Sequence, residues 1–176
     1  MTAAPVVICL GNDLRGDDGA GLEVARLLRP LLPAHVALLE SDGDPAEIVD
    51  AWAGAPLAVV VDAVVSGAPP GTVHHQAGLD ARAGSRPSSH ALGLADAIAL
   101  GRALGRLPAD LACYGIEAAD LTLGRPLSPA VRAAARSVAE AVAERVTGAV
   151  AGDAAHPRAA APPPAGTRDP ARRARG

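Results

Sequence analysis

Leu10-Gly11-Asn12-Asp13-Leu14-Arg15-Gly16-Asp17-Asp18-Gly19-Ala20-Gly21 is the stretch whose reading decides the fold. Residues 5–10 ahead of it form an unbroken apolar run, and Leu22, Val24, Ala25, Leu27 and Leu28 follow it at helical spacing. The pattern predicts a strand, a tight loop and a helix, and α/β proteins build sites at such strand ends in open parallel sheets. The loop's glycines allow a sharp turn and a close backbone approach to another group. Asp17 and Asp18, with Asp13 nearby, make it a loop that repels phosphate but suits a metal or a proton.

Nucleotide motifs are absent. A dinucleotide fingerprint needs Gly-x-Gly-x-x-Gly, and a phosphate-cradling P-loop needs a lysine after its last glycine. Here the glycines fall in a different order, and the chain has no lysine at all. Net charge is −3, but residues 1–150 carry 17 acids against 11 arginines, while residues 151–176 carry two acids against five. An acidic body argues against nucleic acid as a partner, because phosphate neutralisation needs a basic face. The two cysteines, Cys9 and Cys113, lie in apolar runs and read as small buried hydrophobes, not as a disulfide framework. With no signal-type N-terminus and no apolar run of membrane-spanning length, a cytoplasmic protein is expected.

At 176 residues one domain is expected, over residues 1–150, followed by an Ala-, Pro- and Arg-rich tail over 151–176 with little to pack. The core must be made of Ala, Val, Leu and Ile, since the aromatics are only Trp52 and Tyr114. Strands are predicted over residues 5–10, 36–39, 57–61 and 109–116, with an edge strand over 72–76. Helices are predicted over 21–32, 46–53, 91–104 and 130–146. Asp44 and Pro45 cap and open the second of these, Ser89 caps the third, and Ser128 and Pro129 do the same for the last. Residues 78–89 read as a mobile, Gly-, Ser- and Pro-rich loop. The alternation implies an α/β fold: a three-layer sandwich in which a mostly parallel, twisted sheet is flanked by helices on both faces.

Three residues fall at comparable places in that scheme. Asp18 follows the first strand, Asp62 follows the central strand, and His90 opens a helix. Two carboxylates and an imidazole on one sheet edge would suit a borderline transition metal with positions left open. Each also has a plain reading, as a helix cap or a polar helix start.

The segment Gly11-Asn12-Asp13-Leu14-Arg15-Gly16-Asp17-Asp18-Gly19-Ala20-Gly21 resembles the Gly-Asn-x-Leu-x-x-Asp-Asp/Glu-x-x-Gly motif of the hydrogenase maturation proteases. Val59-Val60-Val61-Asp62-Ala63-Val64 is similar to that family's second motif, and Ser89-His90-Ala91-Leu92-Gly93-Leu94-Ala95-Asp96 to its third. The likeness covers residues 5–147 and omits the tail. Cys9 stands where the family usually has glycine, and Asp44-Pro45 where some members carry Gly-Thr.

The resemblance implies an endopeptidase that removes the C-terminal extension of a nickel–iron hydrogenase large-subunit precursor once nickel has been inserted. Asp18, Asp62 and His90 would contact that nickel, which the substrate supplies and which other divalent metals could replace. Asp42 would be a further carboxylate near the site. Two routes of bond cleavage stay open: the metal polarises the carbonyl or lowers the pKa of a bound water, or a carboxylate, Asp17 or Asp42, acts as general base beside Asp18. A monomer is expected when the enzyme is free. The alternative is a nickel-sensing docking chaperone that binds the loaded subunit without cutting it. Neither a nucleophile elbow nor His-Glu-x-x-His is present, which excludes the usual serine-hydrolase and zinc-peptidase patterns.

Overall fold

The computed structural model describes residues 4–78 and 89–155, with side chains described over 4–78 and 93–151. Five strands run in chain order as β1 (Val6–Leu10), β2 (Ala37–Ser41), β3 (Ala58–Val64), β4 (Val73–Ala77) and β5 (Leu111–Glu117). Between and after them lie α1 (Ala20–Leu28), α2 (Pro45–Trp52), α3 (Ser89–Leu104) and α4 (Pro129–Ala155). The sheet order is β2-β1-β3-β5-β4. All pairings are parallel except β4 with β5. Among the described residues, no helix is long and apolar enough to cross a membrane.

Alternation along the buried strands separates two apolar layers. Val7, Cys9, Val59, Val61 and Ala112 pack with residues of α1 and α4 on one face of the sheet. Val6, Ile8, Leu10, Val60 and Leu111 pack with Ile48, Val49 and Trp52 of α2 and with Leu94 and Ala97 of α3 on the other. The expected three-layer sandwich is therefore the one observed. With no Phe and few bulky side chains, the layers approach closely. A Cβ on Gly21 would lie 2.1 Å from the Leu10 carbonyl oxygen and 3.0 Å from that of Val61, so only glycine lets α1 rest on β1 and β3.

Several element ends differ from the sequence reading. β3 does not stop at Val61: Asp62 pairs with Gly115 and the ladder continues to Val64 opposite Glu117. Asp62 is thus inside a strand, where the ladder with β5 outweighs the weak strand propensity of aspartate. β2 and β5 are likewise shifted towards their C-terminal ends, reaching Ser41 and Glu117. α1 ends at Leu28, and α4 continues through Ala155, past the expected boundary at 150. Residues 156–176 and most of the expected 78–89 loop lie outside the described residues. The caps were legible: Asp44 accepts from the N–H groups of Ala46 and Glu47, and the Ser128 hydroxyl accepts from the N–H of Val131 at 3.4 Å.

Two buried carboxylates fasten this frame. Asp17, fully buried in a short 3-10 turn (Gly16–Gly19) between β1 and α1, accepts four-square from the segment joining β5 to α4. Its Oδ2 takes the N–H groups of Ala119 (2.8 Å) and Asp120 (3.1 Å), and its Oδ1 that of Ser128 (2.6 Å). Glu117, at the end of β5, accepts from the N–H groups of Ser66 (2.8 Å) and Gly67 (2.9 Å) and the Ser66 hydroxyl (2.7 Å). His74 Nε2 of β4 lies 3.1 Å from the same carboxylate. Burial pushes the Glu117 carboxyl up, but the bonds from Ser66, Gly67 and His74 outweigh it and hold the group below its ordinary range.

Asp17→Ala should leave three N–H groups without their acceptor, costing about 3 kcal/mol or more in urea unfolding. Glu117→Gln should cost about 1–3 kcal/mol at pH 7. Because folding depresses this pKa, its contribution is present above the unfolded value of about 4.3 and is lost as pH falls through the lower folded one. The gap between wild type and Glu117→Gln should therefore narrow in unfolding curves taken below about pH 4.

Candidate metal and catalytic site

Chain order reverses at β1 and β3. From β1 the chain moves outward to β2 by way of α1, then crosses back over β1 through α2 to form β3. The two crossovers lie on opposite faces, so a crevice opens between the C-terminal ends of β1 and β3. The turn after β1 supplies Asp18 to this crevice, and β3 supplies Asp62.

The turn is wound by its own backbone. The Gly11 N–H donates to the Ser41 carbonyl at 3.1 Å, joining the loop to the end of β2. The Asn12 N–H donates to the Asp18 carbonyl at 3.1 Å, and the Asn12 side-chain oxygen accepts from the Leu14 N–H at 3.0 Å. Asp18 is consequently fixed, 1% exposed, in a 3-10 turn that packs on β3. Asp62 is 6% exposed, and its Oδ1 accepts from the N–H of Ala63 at 2.8 Å. Two carboxylates buried this deeply at one sheet edge make a region of concentrated negative charge, a donor set suited to a divalent cation.

Asp42 stands exposed just beyond β2, on the same C-terminal rim. The Ser41 hydroxyl behind it accepts from the Gly43 N–H at 3.2 Å and donates to Glu47 of α2, which fixes the turn. His90 is the second residue of α3; its side chain lies outside those described. Gly93 locates the helix. A Cβ on Gly93 would lie 2.1 Å from the Gly43 carbonyl oxygen, so the first turn of α3 starts directly against the segment that follows Asp42. Topology thus brings Asp18, Asp42, Asp62 and the start of α3 to one rim. Among the described residues, no group of three or more His, Cys, Asp or Glu side chains forms a metal cluster.

Asp17 is placed differently from its neighbour. Both its oxygens face away from the crevice chemistry into backbone N–H groups, as a brace between the 3-10 turn and the start of α4. Both thiols are pushed up to about 12, chiefly by burial, aided by the charge of Glu40 beside Cys9 and of Asp62 beside Cys113. Neither is a nucleophile near neutral pH. Glu117 is the buried anchor of Ser66 and His74. The sequence reading missed a cavity of about 520 Å³ that runs from Asp62 beneath β5 and β4. Its signal was the alternation of His74 and Gln76 along an edge strand, which turns both residues to one face.

Residues 23–145 match the family described as HycI, hydrogenase maturation protease. Asp42, Asp62 and His90 fall inside that span, and the Asp17–Asp18 turn just ahead of it. The hydrogenase expression/formation protein HupD of Thiocapsa roseopersicina is 29% identical over 133 residues, which is 72% of this chain and 60% of HupD. The chain therefore spans about three fifths of the length of that curated relative. Among solved structures, the hydrogenase maturating endopeptidase HybD of E. coli superposes with a TM-score of 0.75 at 27% identity, covering 82% of this chain and 93% of HybD. The [NiFe] hydrogenase maturation protease HybD of Thermococcus kodakarensis gives 0.65 at 29% identity, covering 81% and 99%. With the family match spanning most of the chain and the folds superposing over four fifths of it, this protein belongs to the hydrogenase maturation protease family.

Proposed function

We propose that this protein is the endopeptidase that removes the C-terminal extension of a nickel-loaded hydrogenase large-subunit precursor. The observation that carries the reading is the pair of buried carboxylates, Asp18 in the turn after β1 and Asp62 in the adjacent parallel strand β3, at the point where chain order reverses. Two carboxylates in a poorly solvated crevice attract a divalent cation, here a metal already held by the substrate. The difference in affinity between loaded and empty precursor then becomes the means of selection.

His90, at the start of α3, is assigned as the third group that reaches the nickel. The imidazole adds a nitrogen donor that suits nickel better than oxygen donors alone. Asp42 is assigned as the base. Its exposure on the rim leaves the carboxylate accessible to a water molecule, whereas the oxygens of Asp17 are taken up by three N–H donors. Asp42 would accept a proton as the water oxygen attacks the scissile carbonyl carbon, and return it to the departing amine as the C–N bond breaks. Asp17 then contributes indirectly, by holding the turn that presents Asp18.

The test is incubation of the full-length chain with the co-encoded large-subunit precursor, nickel-loaded or nickel-free, followed by intact mass. Loss of a C-terminal peptide from the loaded precursor only is the expected outcome. Asp18→Asn, Asp62→Asn and His90→Ala should each lower kcat/KM by about 100-fold or more, and weaken capture of the loaded precursor. Asp42→Asn should abolish cutting while capture persists. Stable capture by wild type without any mass change would replace the endopeptidase by a docking chaperone.

Gly93→Ala probes the placement of α3 without touching any assigned group. The added Cβ must displace the helix start from Gly43, so cleavage, assayed well below the variant's melting temperature, should fall about tenfold or more, and that melting temperature should fall as well. Unchanged cleavage would mean that the helix start does not position the site.

A further inference from the structure

The cavity beside Asp62 has no part in the reading so far. Its floor is the face of the sheet formed by Val60 and Val64 of β3 and Cys113 and Gly115 of β5. His74 and Gln76 of β4 form one wall, and Leu94 of α3 forms another. At about 520 Å³ it lies within the range of sites for small ligands, about 300–1,000 Å³. The floor is kept low by composition: a Cβ on Gly115 would meet the Val64 side chain at 2.8 Å.

Its chemistry is one-sided. Asp62, at one end, is the charged group that also belongs to the proposed nickel contact. Away from Asp62 the floor is apolar, made by Val60, Val64, Cys113 and Gly115. His74 is engaged by Glu117, so its ring forms wall and is not a free donor at that edge. A charged side chain entering here would lose hydration with little to replace it, whereas an apolar one would gain by burial.

We propose that this cavity is the subsite for an apolar side chain from the first residues of the precursor's C-terminal extension. The inference rests on the endopeptidase reading and adds a specificity determinant to it. Only a flexible chain segment can enter a recess in the sheet, which excludes the folded body of the large subunit. Continuity with Asp62 means that a chain whose metal is held at Asp62 delivers its next residues to this recess. Two readers would then act together: carboxylates select the metal, and the recess selects the tail.

Two variants fill the recess without altering an assigned ligand or base: Cys113→Phe from the floor, and Gln76→Trp from the exposed edge strand, where folding is less at risk. Each is assayed with nickel-loaded precursor carrying its natural extension, and with precursors in which one of the first three extension residues is Asp. Wild type should cut one of the Asp forms about tenfold or more less efficiently than the natural form. Gln76→Trp should lose about tenfold on the natural form and discriminate between the two within about twofold. Equal cutting of all forms by wild type, or natural rate and discrimination in both filled variants, overturns the subsite.

Photo-crosslinking separates the two proposals. Nickel-loaded precursor carrying p-benzoylphenylalanine at one of the first three extension residues should crosslink to a residue lining the recess, and Gln76→Trp should lower that yield about fivefold or more. Crosslinking at the recess without cutting would sink the endopeptidase and leave the subsite standing. Cutting without crosslinking there would sink the subsite and leave the endopeptidase.

Discussion

Backbone pressed directly on backbone is the constraint from which the rest of this molecule follows. The helix after the first strand touches the carbonyls of Leu10 and Val61 through Gly21, and the helix bearing His90 touches Gly43 through Gly93. At neither point is there room for a Cβ. Such contacts carry little energy individually, but they leave few alternative positions, because a packed layer does not deform continuously. The carboxylate-bearing turn and the histidine-bearing helix are therefore located by steric exclusion. Strong local bonds are not needed to place them.

Adjacent aspartates divide the work of the turn. Asp17 spends its charge on three N–H groups and ties the turn to the start of α4. Asp18, one residue later, sits at the crevice. A carboxylate bound to backbone donors is stable in its charged form. It also fixes the next residue, Asp18, which is buried beside β3. A Glu117 counterpart holds the other end of the sheet, where Ser66 and His74 converge on it. The site lies between two internal anchors that themselves do no chemistry.

The sheet, its layers and the order of its elements were legible in the sequence because uninterrupted apolar runs and helical spacing leave little choice in a chain with so few aromatics. The Asp44 and Ser128 caps were legible for the same local reason. The structure places Asp18 in the turn after β1, Asp42 just beyond β2 and Asp62 in β3. The separate duties of Asp17 and Asp18 were not legible. Nothing in two consecutive aspartates tells which will meet the N–H groups of residues more than 100 positions away. Asp62 looked like a residue after a strand because aspartate disfavours strands, and only the pairing with Gly115 shows otherwise. What escaped the sequence was each time set by a contact distant along the chain.

The two outer strands of the sheet have a consequence for how the protein behaves in a crowded solution. β2 and β4, the outermost strands among the described residues, are five residues long each. β4 carries His74, His75 and Gln76, and Glu40 near the end of β2 is paired with Arg29. Short, polar borders of this kind discourage strand-to-strand stacking between molecules. The hydrophobic interior strands, which would pair readily if bared, are enclosed between borders that do not. The open C-terminal rim can thus stay accessible while the flanks resist adding further strands.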